Sequence, residues 1–200
     1  MRTLIIDNYL PNSPQIENLY KIVCGITVHT VEVKDYSSIN IGEDFKFYDA
    51  IVLSGSQRKL AEPGNFDLYS NLVEVIKMCE KPILGICFGY QLISMAYYED
   101  VTPMEQKIEG YYMIKKSAVD ELFDGLGEKF LVYESHEEMV KNIPGDFLGL
   151  AESPNCPIEA IKHYMKPLYG VQFHPERFDD KHPAGQIILE NFFKIAVFYM

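Results

Sequence analysis

A cysteine between two glycines is the residue of this 200-residue chain with the clearest chemical signature. In the segment 82–98, PILGICFGYQLISMAYY, an apolar run ends at Gly85, and apolar residues at helical spacing follow Gly89. Glycines around Cys87 permit a tight strand-to-helix turn, because a Cβ there would strike the neighbouring strand or helix. The pattern is typical of a nucleophile elbow with cysteine in place of serine, or of a small buried residue before a helix.

The predicted helix after the cysteine favours nucleophilic chemistry. Its N-terminus would point at the Cys87 sulfur and stabilise the thiolate, and the Phe88 amide would be free to donate to an oxyanion. We therefore expect Cys87 to adopt a sparsely populated backbone conformation.

A thiolate nucleophile needs a base nearby, and one of the five histidines is well placed for that role. The strand-like residues 169–173 run into His174, which Pro175 and Glu176 follow. Residues i and i+2 of an extended chain point the same way, so Glu176 can lie beside the imidazole and stabilise imidazolium. Three other histidines are predicted to be structural, capping or surface residues: His29, His163 and His182.

Length and composition limit the class of protein. The chain is 48% hydrophobic and 24% charged, which is typical of one globular domain, here predicted over residues 1–200. Its net charge of −11 argues against a nucleic-acid surface, and no apolar run is long enough to cross a membrane. The first predicted strand follows Met1 directly, so we expect no signal peptide. Four cysteines without paired or metal-ligand spacing predict reduced thiols in the cytoplasm, with no metal and no cofactor.

Alternating strands and helices predict the fold that positions these residues. Strands are predicted at 3–7, 26–33, 49–53 and the start of 82–98, with helices at 13–25, at 67–80 and at the end of 82–98. The inward face of the helix at 67–80 is predicted to carry Leu68, Leu72, Val73 and Ile76. Later strands are predicted at 108–116, 129–134, 147–151, 157–163 and 167–173, before a last helix that Pro183 opens.

This order of elements predicts an α/β fold. We expect a flavodoxin-like open, mainly parallel sheet with helices on both faces and antiparallel additions in the second half. The carboxyl ends of parallel strands form the rim where ligands bind, and the Cys87 turn lies on that rim.

Two motifs of the chain resemble the class I glutamine amidotransferases, a family of cysteine-triad glutaminases. Residues 85–91 (GICFGYQ) and 170–176 (GVQFHPE) match that family in order and separation, and residues 133–138 (YESHEE) resemble its substrate loop. Within the family, the second half of the chain is most similar to the stand-alone glutaminase subunit of GMP synthetase. Residues 7–9 (DNY) are instead similar to the glutaminase subunit of anthranilate synthase.

The resemblance implies a reaction and a set of residues. Cys87 would attack the side-chain amide of glutamine, His174 would move protons, and Glu176 would orient it. The ammonia would pass to a separate ATP-dependent synthetase of the ATP pyrophosphatase type. The remaining implied roles are backbone oxyanion donors, at Ser56 and Phe88, and substrate contacts, at Gly55, Gln91, Ser135 and His136. Glutamine-like electrophiles are then expected to label Cys87 before the other three cysteines.

Departures from the family pattern leave other functions open. Ser56 stands where the family has a second glycine, Tyr90 where it has histidine, and residues 98–99 where it has a glycine pair. One alternative is a γ-glutamyl hydrolase or peptidase that acts alone, which an open pocket at Tyr90 and Tyr98 would favour. Another is a degenerate regulatory subunit that binds glutamine without turnover. Because a Cβ restricts the Ser56 peptide, we expect the isolated chain to be a slow glutaminase that a partner activates.

Overall fold

A computed structural model of the chain describes residues 1–26, 30–40 and 45–200. Within those residues, nine strands form one sheet in the order β2-β1-β3-β4-β9-β8-β7-β5-β6. The strands are β1 (Arg2–Asp7), β2 (Thr30–Asp35), β3 (Ala50–Leu53), β4 (Ile83–Ile86), β5 (Val101–Lys116), β6 (Lys129–Val140), β7 (Phe147–Glu152), β8 (Ala160–His163) and β9 (Leu168–Val171). The helices are α1 (Gln15–Ile26), α2 (Ser70–Met78), α3 (Phe88–Ala96) and α4 (Ala184–Phe198). The predicted strand position of His29 lies outside the described residues.

The first half of the chain builds a parallel sheet that is covered on both faces, as the sequence predicts. Strands β2, β1, β3, β4 and β9 pair in parallel. Along β1, Ile5 packs in the cluster that contains α1 and α4 residues, whereas Leu4 and Ile6 pack with α2 and α3 residues. Because both of their faces are covered, the inner strands β3, β4 and β9 are buried throughout, whereas the edge strand β2 is partly exposed and alternates valine with charged residues.

The antiparallel additions of the second half are confirmed, with differences in bounds and pairing. Strand β6 continues to Val140 instead of 134, and β8 begins at Ala160 instead of 157. Strand β5 begins at Val101 instead of 108, since the exposed polar residues at 105–107 interrupt the strand pattern, and its pairing with β6 shifts register between Pro103 and Ile108. The strand predicted at 167–173 is β9, which pairs in parallel with β4 and antiparallel with β8. It therefore joins the two halves and ends beside the Cys87 turn.

The predicted helices are present with small changes at their ends. The segment predicted as a helix at 67–80 begins with a 3₁₀ turn, Phe66–Tyr69, and continues as α2. Leu68 was expected to face inward, but it is 52% exposed, because the tighter turn rotates it away from the face of α2 that is buried. In the described part of the chain, no helix has the length and apolar character needed to cross a membrane.

Candidate active site

The turn between β4 and α3 holds Cys87 in a strained backbone conformation. Its φ is 50° and its ψ is −102°, a region that residues with a Cβ rarely occupy, so the predicted unusual backbone is confirmed. A Cβ added to Gly85 would lie 2.6 Å from the Gly89 backbone, and one added to Gly89 would lie 2.5 Å from the Leu53 carbonyl oxygen. Both glycines are thus required by close backbone packing around the cysteine.

Two neighbouring segments, the end of β9 and β6, converge on Cys87. Its amide donates to the Val171 carbonyl at 2.8 Å, and its sulfur lies 3.9 Å from the Ser135 carbonyl oxygen. The side-chain amide of Gln172 donates to the sulfur at 3.6 Å. Phe88 is the first residue of α3, so its backbone N–H has no partner within the helix and is available to an oxyanion. Gln172 was missed at the sequence level, although its spacing of two from His174 was the available signal.

His174 and Glu176 form the pair that the sequence predicts. The ring Nδ1 of His174 donates to Glu176 Oε1 at 2.7 Å, and both side chains are buried. The extended geometry predicted for this segment is wrong, because Pro175–Arg177 forms a 3₁₀ turn that brings the carboxylate back to the ring. Gly185 near the start of α4 touches the Pro175 carbonyl and leaves no room for a Cβ, so α4 supports this turn.

The charges around His174 favour its protonated form. Burial of the ring opposes protonation, but the Glu176 carboxylate and the Cys87 sulfur outweigh burial and raise the pKa of His174 to about 10. The imidazole of His174 has two side-chain hydrogen-bond partners, the Glu176 carboxylate at Nδ1 and the thiol of Cys87. The arrangement can therefore present an imidazolium to the Cys87 sulfur, and a cationic neighbour of this kind is what activates a nucleophilic cysteine.

A cavity of about 190 Å³ opens at Cys87. Four of the predicted site residues lie around it with the cysteine: Ser56, Gln91, Ser135 and His136. Gly55 lies instead against His174, since a Cβ there would be 3.0 Å from His174 Cε1.

Hydrogen bonds of Gln91 and Glu138 connect the segments that surround the cavity. The Gln91 side-chain amide donates to the Glu138 carbonyl at 2.9 Å and to Gln172 Oε1 at 3.1 Å. The carboxylate of Glu138 accepts from the backbone amides of Leu60, at 2.8 Å, and Ala61, at 3.1 Å. Glu138 thus holds the loop after β3 against β6, a role that sequence spacing could not indicate because 77 or 78 positions separate the partners.

Ser56 is fixed at the cavity by its own side chain. Its hydroxyl donates to the Asn8 carbonyl at 2.7 Å and accepts from the Arg58 amide at 3.0 Å. Asn8 is itself anchored, because its amide donates to Ser54 Oγ and its side chain donates to the Ser54 carbonyl, each at 2.9 Å. These bonds join the turn after β3 to the end of β1, so the Ser56 peptide is restrained by hydrogen bonds as well as by its Cβ.

An open pocket at Tyr90 and Tyr98, which would favour a hydrolase that acts alone, is absent from the described residues. Tyr90 is fully buried, donates to the Ile158 carbonyl at 3.0 Å, and packs where a Cβ on Gly170 would lie, 2.5 Å from its ring. Tyr98 is 88% exposed, and its ring lies 4.7 Å from the Lys77 ammonium. Neither side chain lines the cavity at Cys87.

The side chain of His136 belongs to a buried acidic group behind the cavity. Its Nε2 lies 2.7 Å from Glu134 Oε2, and its Nδ1 donates to the Glu138 carbonyl at 3.0 Å. Glu134, His136 and Glu159 place one ligand atom each within 4.8 Å of one another, so they could hold a metal ion. Burial, and then the charge of Glu134, raise the pKa of Glu159 well above its usual range. A proton on Glu159 removes one of the two carboxylate charges of the group. The predicted role of His136 in substrate binding rests on its backbone.

Two further histidines have the structural roles expected of them. His163 is buried, and its Nδ1 accepts from the amides of Met165 and Lys166 at 3.0 and 3.1 Å. His182 contacts Asp179 through Nδ1 at 2.8 Å. Neither ring lines the cavity at Cys87.

Known proteins resemble this chain over most of its length. The family model of class-I glutamine amidotransferases matches residues 4–196. The glutamine-hydrolyzing GMP synthase subunit of Methanothermobacter thermautotrophicus is 44% identical over 128 residues, which are 63% of this chain and 67% of that protein. The subunit of the same name from Methanocaldococcus jannaschii is 33% identical over 196 residues, 96% of each protein. A crystal structure of a GMP synthase-type subunit from Thermoplasma acidophilum is 25% identical with a TM-score of 0.84, and the match covers 100% of this chain and 95% of that one.

Proposed function

This chain belongs to the class-I glutamine amidotransferase family, and we propose that it hydrolyses the side-chain amide of glutamine to supply ammonia to a separate GMP synthetase subunit. The observation that carries the proposed chemistry is the buried His174–Glu176 pair beside Cys87 at its strained turn. The relatives named as glutamine-hydrolyzing subunits of GMP synthase support the acceptor. Residues 1–200 act as one amidotransferase domain in the cytoplasm, where the four free cysteines stay reduced.

In the first half of the reaction, the Cys87 thiolate attacks the carbonyl carbon of the glutamine side-chain amide. The oxyanion accepts hydrogen bonds from the Phe88 amide and from the backbone at Ser56. His174 gives its Nε2 proton to the departing nitrogen, the C–N bond breaks, and ammonia leaves behind a γ-glutamyl thioester on the cysteine.

In the second half, neutral His174 accepts a proton from water as the water oxygen attacks the thioester carbonyl. The C–S bond breaks, glutamate leaves, and the thiolate–imidazolium pair is restored. The role of Glu176 in both halves is to hold the ring in one orientation and to stabilise the imidazolium.

The charges at the cavity fit the amino-acid end of glutamine. Arg58, Lys59 and Lys107 line the cavity together with Glu137 and Glu138, and the three cations are complementary to the substrate α-carboxylate. Lys59 also lies 3.1 Å from Glu137, which keeps its ammonium at the rim. The carbonyl oxygens at Ser135 and His136 are suited to accept from the α-amino group.

Ammonia release from glutamine tests the proposal directly. Wild type should release ammonia slowly alone and faster beside an ATP-dependent GMP synthetase subunit with its nucleotide acceptor. Cys87→Ala should abolish release in both settings, while Cys79→Ala serves as a cysteine control away from the cavity. Absence of release by wild type in both settings would contradict the proposal, and full activity without a partner would favour a self-sufficient hydrolase.

A further inference from the structure

Two buried polar atoms beside the Cys87–His174–Glu176 site have no hydrogen-bond partner among the described residues: Tyr9 Oη and Glu176 Oε2. Tyr9 is 5% exposed and Glu176 is 3% exposed. A buried polar group left unpaired costs about 1–3 kcal/mol, so native proteins pair such atoms with each other or with ordered water. One atom here is a hydroxyl that can donate, and the other is a carboxylate oxygen that can only accept.

The position of Tyr9 is fixed by the end of β1. Its amide donates to Asp7 Oδ1 at 2.9 Å, and the preceding Asn8 is bonded to Ser54 through both its backbone and its side chain. A Cβ placed on Gly55 would lie 3.0 Å from Tyr9 Oη and 3.0 Å from His174 Cε1. The phenol and the imidazole therefore border the same small space, and the absence of a side chain at Gly55 keeps that space open between them.

The electrostatic surroundings keep the Tyr9 hydroxyl neutral. Burial, followed by the charges of Glu176 and Cys87, raises its pKa well above the ordinary value of a tyrosine. Tyr9 is thus a permanent donor beside the triad.

We propose that Tyr9 is a positioning residue of the triad, whose hydroxyl donates to Glu176 Oε2 across one ordered water. Glu176 Oε1 is already occupied by His174 Nδ1 at 2.7 Å, so a second bond at Oε2 fixes the plane of the carboxylate. A fixed carboxylate in turn fixes the imidazole that must reach both the sulfur and the departing nitrogen. This contact gives a role to residues 7–9 (DNY), which the proposed reaction does not otherwise use.

The test is a double-mutant cycle of Tyr9→Phe and Glu176→Gln, and it rests on the proposed glutaminase activity. Tyr9→Phe should lower kcat for ammonia release roughly tenfold, the loss expected from one hydrogen bond to a charged group, and leave KM for glutamine unchanged. In the Glu176→Gln background, the same substitution should have no further effect on kcat, because Tyr9 acts only through the carboxylate.

Tyr169→Phe is the matched control, because it removes a buried hydroxyl that interacts with Lys162 away from the cavity. It should leave kcat unchanged. Equal losses of kcat from Tyr9→Phe in both backgrounds, or an unchanged kcat in the single variant, would overturn the positioning role. If wild type itself released no ammonia, alone or with a synthetase, the glutaminase proposal would fail instead, so the two failures are distinguishable.

Discussion

The proposed chemistry depends on backbone strain at Cys87 and on the positive charge of His174. The positive φ of Cys87 aims its side chain at the cavity, and the pKa of His174, raised to about 10, supplies a proton at neutral pH. Glu176 contributes through the charge that it holds against the ring. Each of these roles predicts a different kinetic response to substitution.

Glu176→Gln should reduce kcat less than Cys87→Ala or His174→Ala. An orienting carboxylate typically contributes about 10⁴-fold where the nucleophile or base contributes about 10⁶-fold. The variant also removes the main charge that raises the pKa of His174, so the alkaline limb of the kcat profile should move to lower pH. Profiles of kcat against pH measure both effects. Wild-type kcat with an unshifted limb would show that Glu176 has no triad role.

Ser56→Gly should raise glutamine hydrolysis in the absence of a partner. The Ser56 peptide is restrained by its Cβ and by hydroxyl bonds to Asn8 and Arg58, so the free chain is expected to lack one oxyanion donor. One such donor is typically worth about 2.7–4 kcal/mol, on the order of a hundred- to a thousand-fold in rate. KM for glutamine should change little.

Ser56→Ala is the control for that prediction. It removes the same hydroxyl bonds but keeps the Cβ, so it should not reproduce the full increase in partner-free ammonia release. Equal rates for both variants would show that the hydroxyl bonds, and not the Cβ, limit the site. No increase in either variant would exclude gating at Ser56.

At the scale of elements, sequence periodicity predicts most strands and helices but not every contact between them. Apolar runs and turn residues predict the parallel strands, the Cys87 turn and α4, since these depend on local patterns. The start of β5 is not predicted because the exposed polar residues at 105–107 interrupt its apolar pattern. The exposure of Leu68 is not predicted, because apolar spacing alone cannot distinguish a 3₁₀ turn from an α-helix.

In the site, too, a contact between residues close in sequence is predicted, whereas contacts between distant segments are not. The His174–Glu176 contact is local in sequence and was predicted, even though its backbone geometry was not. Gln172 and Tyr9 lay in motifs already singled out, but their contacts depend on which strand ends meet across the sheet. Glu138 could not have been predicted, because its partners come from a loop distant in the chain.

Gly89→Ala tests the close packing of α3 on β3. The added Cβ would lie 2.5 Å from the Leu53 carbonyl oxygen, so backbone must move, and the free energy of unfolding should fall by about 1–3 kcal/mol or more. Gly25→Ala in α1 is the control, because outside its own helix no atom of the described residues lies within 4 Å of the added Cβ. It should stabilise the protein by up to about 0.5–1 kcal/mol. Urea midpoints measure both changes, and a neutral Gly89→Ala would contradict the packing.

At the scale of the whole molecule, the fold buries acidic groups near Cys87. Glu134 is fully buried on β6, which borders the cavity, and Glu159 is fully buried just before β8. In an acidic protein of net charge −11, such a group is stable only when protons or cationic partners compensate its charge. Stability should therefore depend on pH through Glu159.

Glu159→Gln should make the protein less sensitive to alkaline pH. The pKa of Glu159 is raised in the folded state, so the folded protein retains a proton that the unfolded chain releases above the ordinary value of 4.5. This stabilisation is fully present below pH 4.5 and is lost as pH rises through the folded-state value. The variant carries an uncharged isostere, so it should match wild type at low pH and exceed its free energy of unfolding at about pH 8. The exposed Glu128→Gln is the control, and identical pH dependence in all three proteins would contradict the assignment.

Substrate-protected labelling of Cys87 tests the central claim most directly. The protein is treated briefly with a glutamine analogue that carries an electrophilic carbon in place of the amide, and labelled cysteines are identified by peptide mass spectrometry. Cys24 and Cys79 are more exposed than Cys87, so accessibility alone favours them over the proposed nucleophile. The proposed mechanism predicts that Cys87 is labelled first, that glutamine slows this labelling, and that His174→Ala suppresses it. Labelling led by another cysteine, or labelling of Cys87 that glutamine does not slow, would contradict a glutaminase site at this turn.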